Sequence, residues 1–301
     1  MKIKTKNTRQ IAFIYAILSA FTYGISFPLS KILLMHIPTF EMTALLYTGA
    51  GLGMLVFLVF QTKKSGMIFK EVKEIEEDRI TKKDFPTVIW MIILNLAASA
   101  FLLMGIHMTS AATVSLLSNF EIVATTLIAR LLFKEILGRR VFWAILFIFA
   151  SSVLLSINES NHFELSLGAF YVLLACICWG AENNTTAALS TKNPVQVVVV
   201  KSLATALFAF LIALMTEKIE VQSLEILSGL VLGFVSYGLS LYFYVYAQRH
   251  IGAIRTGAYF AIAPFIGLFL SWLLFGQALT MSFTLALLFM VIGGYLVVTE
   301  K

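Results

Sequence analysis

Two glutamates, Glu121 and Glu182, interrupt long apolar stretches, one in each half of a 301-residue chain. A carboxylate surrounded by hydrocarbon must be paired, hydrated or protonated to be tolerated, so each of these residues marks a partner, a water-filled space or a task. The chemistry open to such groups is the holding of a cation or the carriage of a proton. Glu121 falls at the middle of the apolar stretch 111–133. On a helix, Ser118 and Thr125 share its face at i−3 and i+4, whereas Asn119 points away. That stripe suits substrate or proton binding; a protonated carboxyl hydrogen-bonded to a neighbouring helix is the structural alternative.

Glu182 lies in WGAENNTT, from Trp179 to Thr186. Trp179, Glu182 and Thr186 share a helical face with Asn183 beside them, and this cluster either lines a cavity or knits two helices. Asn184 is the neighbour expected to bond between helices. The counterpart in the first half is Ser26 to Ser30, where Pro28 frees a carbonyl and permits a bend. Lys201 lies about 9 Å inside its own stretch. It either pairs with Glu182, which is displaced towards the same side, or snorkels to the interface. Pairing would keep Glu182 ionised and leave Glu121 as the carboxylate that exchanges a proton.

Tyr237, Tyr244 and Gln248 recur at i, i+7 and i+11, and Tyr259 and Tyr23 extend the aromatic set. Rings facing a carboxylate suit a cationic or amphipathic metabolite, although such stripes also serve packing. Asn95 and Ser99 form a further polar pair at i and i+4. Gly49, Gly51 and Gly53, with Gly293 and Gly294, suit close helix contact. His36, His107, His162 and His250 are too scattered for a metal site, and no cofactor is expected. Cys176 and Cys178, two residues apart on a helix, cannot bridge each other.

The elements that position these groups follow from composition. The chain is 59% hydrophobic and 13% charged, with a mean hydropathy of +0.91, which places it in a bilayer. Ten apolar runs are marked off at 11–34, 39–61, 86–107, 111–133, 141–157, 167–189, 195–216, 226–248, 253–275 and 281–298. None alternates as a barrel strand does, so the expected fold is an all-α membrane protein of ten transmembrane helices. The first run is too long for a signal peptide and is expected to be retained. Lys2, Lys4, Lys6 and Arg9, the charged segment 61–85, Lys134, Arg139, Arg140, Lys192 and Arg249 fall on one side, against Lys218 on the other. Both termini are therefore expected in the cytoplasm, with the chain in the cytoplasmic (inner) membrane. The net charge of +6 is explained by that topology, and no nucleic-acid partner is implied.

Residues 1–157 repeat, weakly, in 167–301, with a linker at 158–166 outside the cytoplasm. Leu131, Leu132 and Phe133 recur as Leu273, Leu274 and Phe275; Tyr23 and Gly24 recur as Trp179 and Gly180. Five spans per half is an odd number, so the second copy must cross in the opposite direction as an inverted repeat. These aromatic-glycine pairs, Pro264 within the ninth run as a helix bend, FKE from Phe133 to Glu135, and GLSLYFYVYAQ from Gly238 to Gln248 resemble the EamA branch of the drug/metabolite transporter superfamily. The resemblance covers essentially the whole chain and rests on the five-plus-five layout more than on any short motif. It implies a metabolite carrier working by alternating access, many such carriers being exporters. The halves differ where Glu121 and Ile122 stand against Ala263 and Pro264, and where Glu135 stands against Gln277.

A secondary carrier accounts for the repeat and the mid-span carboxylates together. The expected substrate is a small polar or cationic metabolite, such as an amino acid or amine, exported in exchange with protons. A passive channel and an intramembrane enzyme are the alternatives, but no Asp or His lies mid-span to serve an enzyme. Expected partners are the small molecule, the lipid bilayer and protons, around a monomer or weak dimer.

Overall fold

A computed structural model describes residues 2–63, 80–133, 138–156, 166–187, 189, 192, 194–216, 222–251, 256, 259–260, 262–276 and 280–298. The charged run 64–79, Lys134, Glu135, His162, Lys218 and Gln277 lie outside these residues, as do the side chains of Gln248 and Arg249. The elements among the described residues are helices, as a chain that must satisfy its backbone within hydrocarbon requires. They are α1 (Lys2–Gly24), α2 (Ser26–Leu33), α3 (Thr39–Lys63), α4 (Phe85–Met108), α5 (Ala111–Leu117), α6 (Phe120–Phe133) and α7 (Arg139–Ser156) in the first half. The second half holds α8 (Leu167–Ala187), α9 (Pro194–Thr216), α10 (Ser223–Gly233), α11 (Ser240–Ile251), α12 (Ala263–Phe275) and α13 (Met281–Val298). A π-helical segment, Phe234–Leu239, joins α10 to α11.

Five stretches, Gln10–Leu33, Thr39–Phe57, Lys82–Met108, Val195–Thr216 and Ser223–Tyr244, are long and apolar enough to cross a membrane. Shorter apolar helices cover Ala111–Thr125, Phe142–Leu154, Ala263–Phe275 and Met281–Leu296. Side by side, α4 packs on α8, α3 on α9, α7 on α13 and α1 on α11, while α6 leans on α8 and α12 on α1. A core of Phe27, Met42, Leu46, Leu102, Leu116, Val172 and Trp179 fills the junction between them.

Three local features depart from uniform helices. The first is a break in the run 111–133, expected to be continuous: α5 stops at Leu117 and α6 starts at Phe120. Asn119 N–H bonds to Leu116 O and Glu121 N–H to Ser118 O, both at 3.1 Å, so the backbone winds over three residues where an α-helix uses four. No proline or glycine announces the break. The second is at Pro264, which does not bend a helix from within. It stands in the first turn of α12, where the N–H it lacks is not needed. The Ser115 hydroxyl of α5 donates to its carbonyl, tying the two broken spans together. Pro28 lies in the first turn of α2, and the interruption its ring imposes appears upstream at Ile25. The third is the π-helical segment, which winds wider than the α-helix assumed in aligning Tyr237 with Tyr244.

Close contact explains two of the glycines on α3 and its neighbour. A Cβ on Gly49 would stand 2.0 Å from Leu230 O, and one on Gly233 would stand 2.0 Å from Leu46 O, so α3 and α10 touch backbone to backbone. Gly276 closes α12 in the left-handed conformation, φ 58°, its N–H bonding to Trp272 O at 2.9 Å.

Candidate functional site

The break before α6 places Glu121 in the first turn of a helix. There the aligned peptide N–H groups favour a negative charge, which a position in the middle of a continuous helix would not offer. Ser118 does not join it: its hydroxyl donates back to Val114 O at 2.8 Å. The partner comes from α8. Asn183 Nδ2 donates to Glu121 Oε1 at 2.6 Å and lies 3.4 Å from the Thr125 hydroxyl, so Thr125 does share the carboxylate's surroundings. Asn184 reaches the Thr125 carbonyl at 3.3 Å and its own helix at Gly180 O, 2.7 Å. Gly180 makes this approach possible. A Cβ there would lie 2.7 Å from Thr125 N and 2.8 Å from Ala124 Cβ.

One residue earlier on α8, the side chain turns by roughly 100 degrees to a different neighbour. Glu182 is buried and its Oε1 receives Lys201 Nζ from α9 at 3.3 Å and the Thr186 hydroxyl at 2.5 Å. Adjacent residues of one helix thus serve two carboxylate sites: Asn183 supports Glu121, and Glu182 holds Lys201. Trp179 is buried in the core below them.

Glu121 keeps part of its surface accessible and Asn183 is exposed. An aromatic wall is formed by a chain of rings on α1, α3, α11 and the segments beside them. Tyr47 meets Tyr237 with centroids 5.3 Å apart, Tyr237 meets Tyr23 at 6.1 Å, Tyr23 meets Phe260 at 5.3 Å, and Phe260 meets Tyr244 at 5.1 Å. Tyr259 is not part of this wall; it packs edge-on against Phe13, with Ala12, Ala16 and Ala247.

Asn95 and Ser99 belong to a buried polar network behind the wall. The Tyr47 hydroxyl donates to Asn95 Oδ1 at 3.1 Å, Asn95 Nδ2 donates to Thr205 Oγ1 at 3.0 Å, and the Ser99 hydroxyl lies 2.7 Å from both Tyr47 OH and Asn95 O. Sequence reasoning missed Tyr47, Thr205 and Phe260, because an isolated Tyr, Thr or Phe in an apolar run reads as packing until its partners on other helices are known. It also missed Lys31, whose ammonium donates to Ile106 O, His107 O and Thr109 O at 2.6, 2.9 and 2.9 Å, capping the C-terminal end of α4. The missed signal was a lysine within one turn of a span end. Buried Glu41 in the first turn of α3 was likewise overlooked. Among the described residues no cluster of His, Cys, Asp and Glu could hold a metal ion.

Comparison with known proteins bears on this arrangement. The model of the EamA-like transporter family matches the chain twice, over residues 10–157 and 166–299. An uncharacterized transporter of Methanothermobacter thermautotrophicus is 26% identical over 265 residues, covering 85% of this chain and 76% of that protein. A crystal structure 17% identical in sequence superposes with a TM-score of 0.65, covering 96% of this chain and 95% of the other. That likeness is one of fold.

Proposed function

The chain belongs to the EamA-like transporter family and is a multi-pass membrane protein; from that premise we propose that it is a secondary carrier exporting a small polar or cationic metabolite, an amino acid, amine or related compound, across the cytoplasmic membrane in exchange for protons. The observation that carries this reading is the Glu121 carboxylate: partly accessible and held on one oxygen by the neutral Asn183 amide. A carboxylate with a neutral partner can trade a proton for an organic cation, because neither exchange leaves a second buried charge behind. One already locked to a lysine cannot.

In the proposed topology the five long apolar stretches, the four shorter ones and α8 make ten spans. Two inverted five-span repeats, 1–157 and 167–301, are supported by the packing. Exchanging the halves turns the α4–α8 contact into that of α11 with α1, and the α6–α8 contact into that of α12 with α1, leaving α3–α9 and α7–α13 in place. The double match of the family model agrees with this arrangement. Both termini in the cytoplasm fit the lysine and arginine distribution, and the Asp84–Lys192 pair at 3.1 Å joins two ends assigned to that side. Alternating access then consists of the two halves rocking about Glu121.

The test is transport into proteoliposomes under an imposed pH gradient. Glu121→Gln, which keeps the shape and an acceptor for Asn183, is expected to abolish gradient-driven flux while the protein stays folded. Gradient-driven flux at the wild-type rate in that variant sinks the proposal.

A further inference from the structure

Each end of the bundle carries an ion pair that crosses from one half of the chain to the other. At one end Lys192 Nζ, from the segment between α8 and α9, meets Asp84 Oδ2 at 3.1 Å. At the other His36 Nδ1, from the turn between α2 and α3, stands 3.7 Å from Glu225 Oε1. Helix α4 separates them: Asp84 lies where it starts, and Lys31, just ahead of His36, binds the carbonyls where it ends, about 36 Å away. The two pairs are built alike. Asp84 and Glu225 each close a capping box, Thr81 N–H donating to Asp84 Oδ2 at 2.7 Å and Gln222 N–H to Glu225 Oε2 at 3.0 Å. Each acid thus opens a span, the third or the eighth, and each base stands just ahead of α3 or α9. Exchanging the halves of the inverted repeat carries spans two and three into spans seven and eight, and so maps one pair onto the other.

The bases differ in one property: lysine keeps its charge between pH 5 and 8, and histidine changes charge there. A separation of 3.7 Å is too long for a hydrogen bond, so His36 attracts Glu225 only as an imidazolium. The other titratable groups at this end are Lys31 on α2, engaged by the three carbonyls of α4, buried Glu41 in the first turn of α3, and His107 in the last turn of α4. Of the remaining elements packed on α2, α5 and α12 carry none, α10 carries Glu225, and α1 ends at Tyr23 and Gly24. On α9, packed against α3, Lys201 belongs to the opposite end. His162, Glu217, Lys218 and Glu220 lie outside the described residues.

We propose that His36 and Glu225 form a proton-operated latch at one mouth of the carrier, the counterpart of the fixed Asp84–Lys192 latch at the other, so that acid on the His36 side holds that mouth closed. This rests on the carrier reading above, whose topology puts His36 outside the cytoplasm. As pH rises through the histidine range the outer latch releases while the inner one is unchanged, and the outward-open state gains. The His36 side chain is 64% exposed, so water screens the pair and the balance shifts by a small factor, about twofold to fivefold.

The experiment uses the full chain in lipid nanodiscs, with Cys176 and Cys178 replaced by serine and nitroxide labels on Met35→Cys and Leu224→Cys, two exposed positions beside the latch. The distance distribution between the labels is read by electron paramagnetic resonance at about pH 5.5 and about pH 8.5, on either side of the histidine range. With His36 and Glu225 in place, the ratio of near to far populations is expected to fall about twofold to fivefold from the lower pH to the higher. His36→Lys should hold the ratio at its acid value at both pH values. His36→Gln and Glu225→Gln should hold it at its alkaline value, the latter while keeping the oxygen that caps Gln222 N–H. His107→Gln should leave the response as it is.

A ratio that ignores pH when His36 and Glu225 are both present, or a response that survives in His36→Gln, overturns the latch and leaves the carrier reading intact. An impermeant maleimide added to intact cells should label Met35→Cys; labelling only after lysis moves the latch to the cytoplasmic mouth and overturns the topology of the carrier reading instead. A single distance in every variant at both pH values removes the moving mouth, and with it both.

Discussion

The two carboxylates that stand out in the sequence differ in what holds them. Glu182 is buried and shares one oxygen between the Lys201 ammonium and the Thr186 hydroxyl. Glu121 keeps accessible surface and is met by an amide that carries no charge. Both depend on one stretch of α8, whose successive residues Glu182 and Asn183 point to α9 and to α6. A closed ion pair fixes geometry and resists change; a carboxylate with a neutral donor can change its charge without stranding a partner. On the proposed reading that difference separates a structural charge from a working one, and it can be tested by breaking each arrangement separately.

The largest effect is expected from the closed pair. Lys201→Met or Glu182→Leu leaves the other charge buried without its partner, a loss of about 3–5 kcal/mol. Thermal unfolding in detergent should show a large drop in Tm for either single variant, and most of that loss should be recovered in Glu182→Gln with Lys201→Met. If the single variants unfold like the wild type, the pair is not closed in the membrane and the contrast between the two carboxylates collapses.

Next comes Glu121→Gln, with the opposite signature. Stability should hold, since the amide oxygen still accepts from Asn183, while gradient-driven flux is abolished, a fall of at least about a hundredfold, equivalent to about 2.7 kcal/mol or more of activation free energy. Flux and melting temperature measured on both sets of variants form a crossed pair: the Glu182 site should register in stability, and the Glu121 site in transport.

How much of this could be read from the sequence differs between the sites in a physical way. Glu121, Glu182, Asn183 and Lys201 were legible because charge and amide groups in apolar runs are costly and must be explained. The helical layout was legible because runs of that length and composition have few other ways to satisfy their backbone. The break between Leu117 and Phe120 was not, because no breaker residue marks it. Pro264 misled for a related reason: a proline is equally at home in a kink and in a first turn, and the sequence alone does not say where the helix begins. The wider winding at Phe234–Leu239 moved the tyrosine stripe off its assumed phase. Tyr47 and Thr205 were hidden because their partner Asn95 lies on a third helix.

A smaller effect is expected where packing sets the distance between the two regions. Gly180→Ala puts a methyl group 2.7 Å from a backbone nitrogen of α6, which cannot rotate away, so α6 must move off α8. The cost is about 1–3 kcal/mol. Because the movement lengthens the Asn183–Glu121 bond and leaves Glu182–Lys201 alone, transport should fall more than stability does. Gly294→Ala, where an added Cβ meets nothing within 4 Å, is the matched control and should leave both unchanged. Equal losses in both variants would mean that α6 and α8 are not held at the distance the site requires.

The smallest effect concerns the network behind the aromatic wall. Tyr47→Phe removes a hydroxyl that donates to Asn95 Oδ1 and lies beside Ser99, while Asn95 keeps Thr205 and Ser99 keeps the Asn95 carbonyl. The ring still meets Tyr237. The loss should be about 1 kcal/mol, that of one net hydrogen bond, with transport retained in proportion to folded protein. Tyr47 is linked through Tyr237 to Tyr23 on α1 and through Asn95 and Thr205 to the helix that carries Lys201. If flux collapses in Tyr47→Phe while Tm barely moves, the hydroxyl network takes part in the working site, and the boundary between the closed region and the open one shifts from α8 to α3.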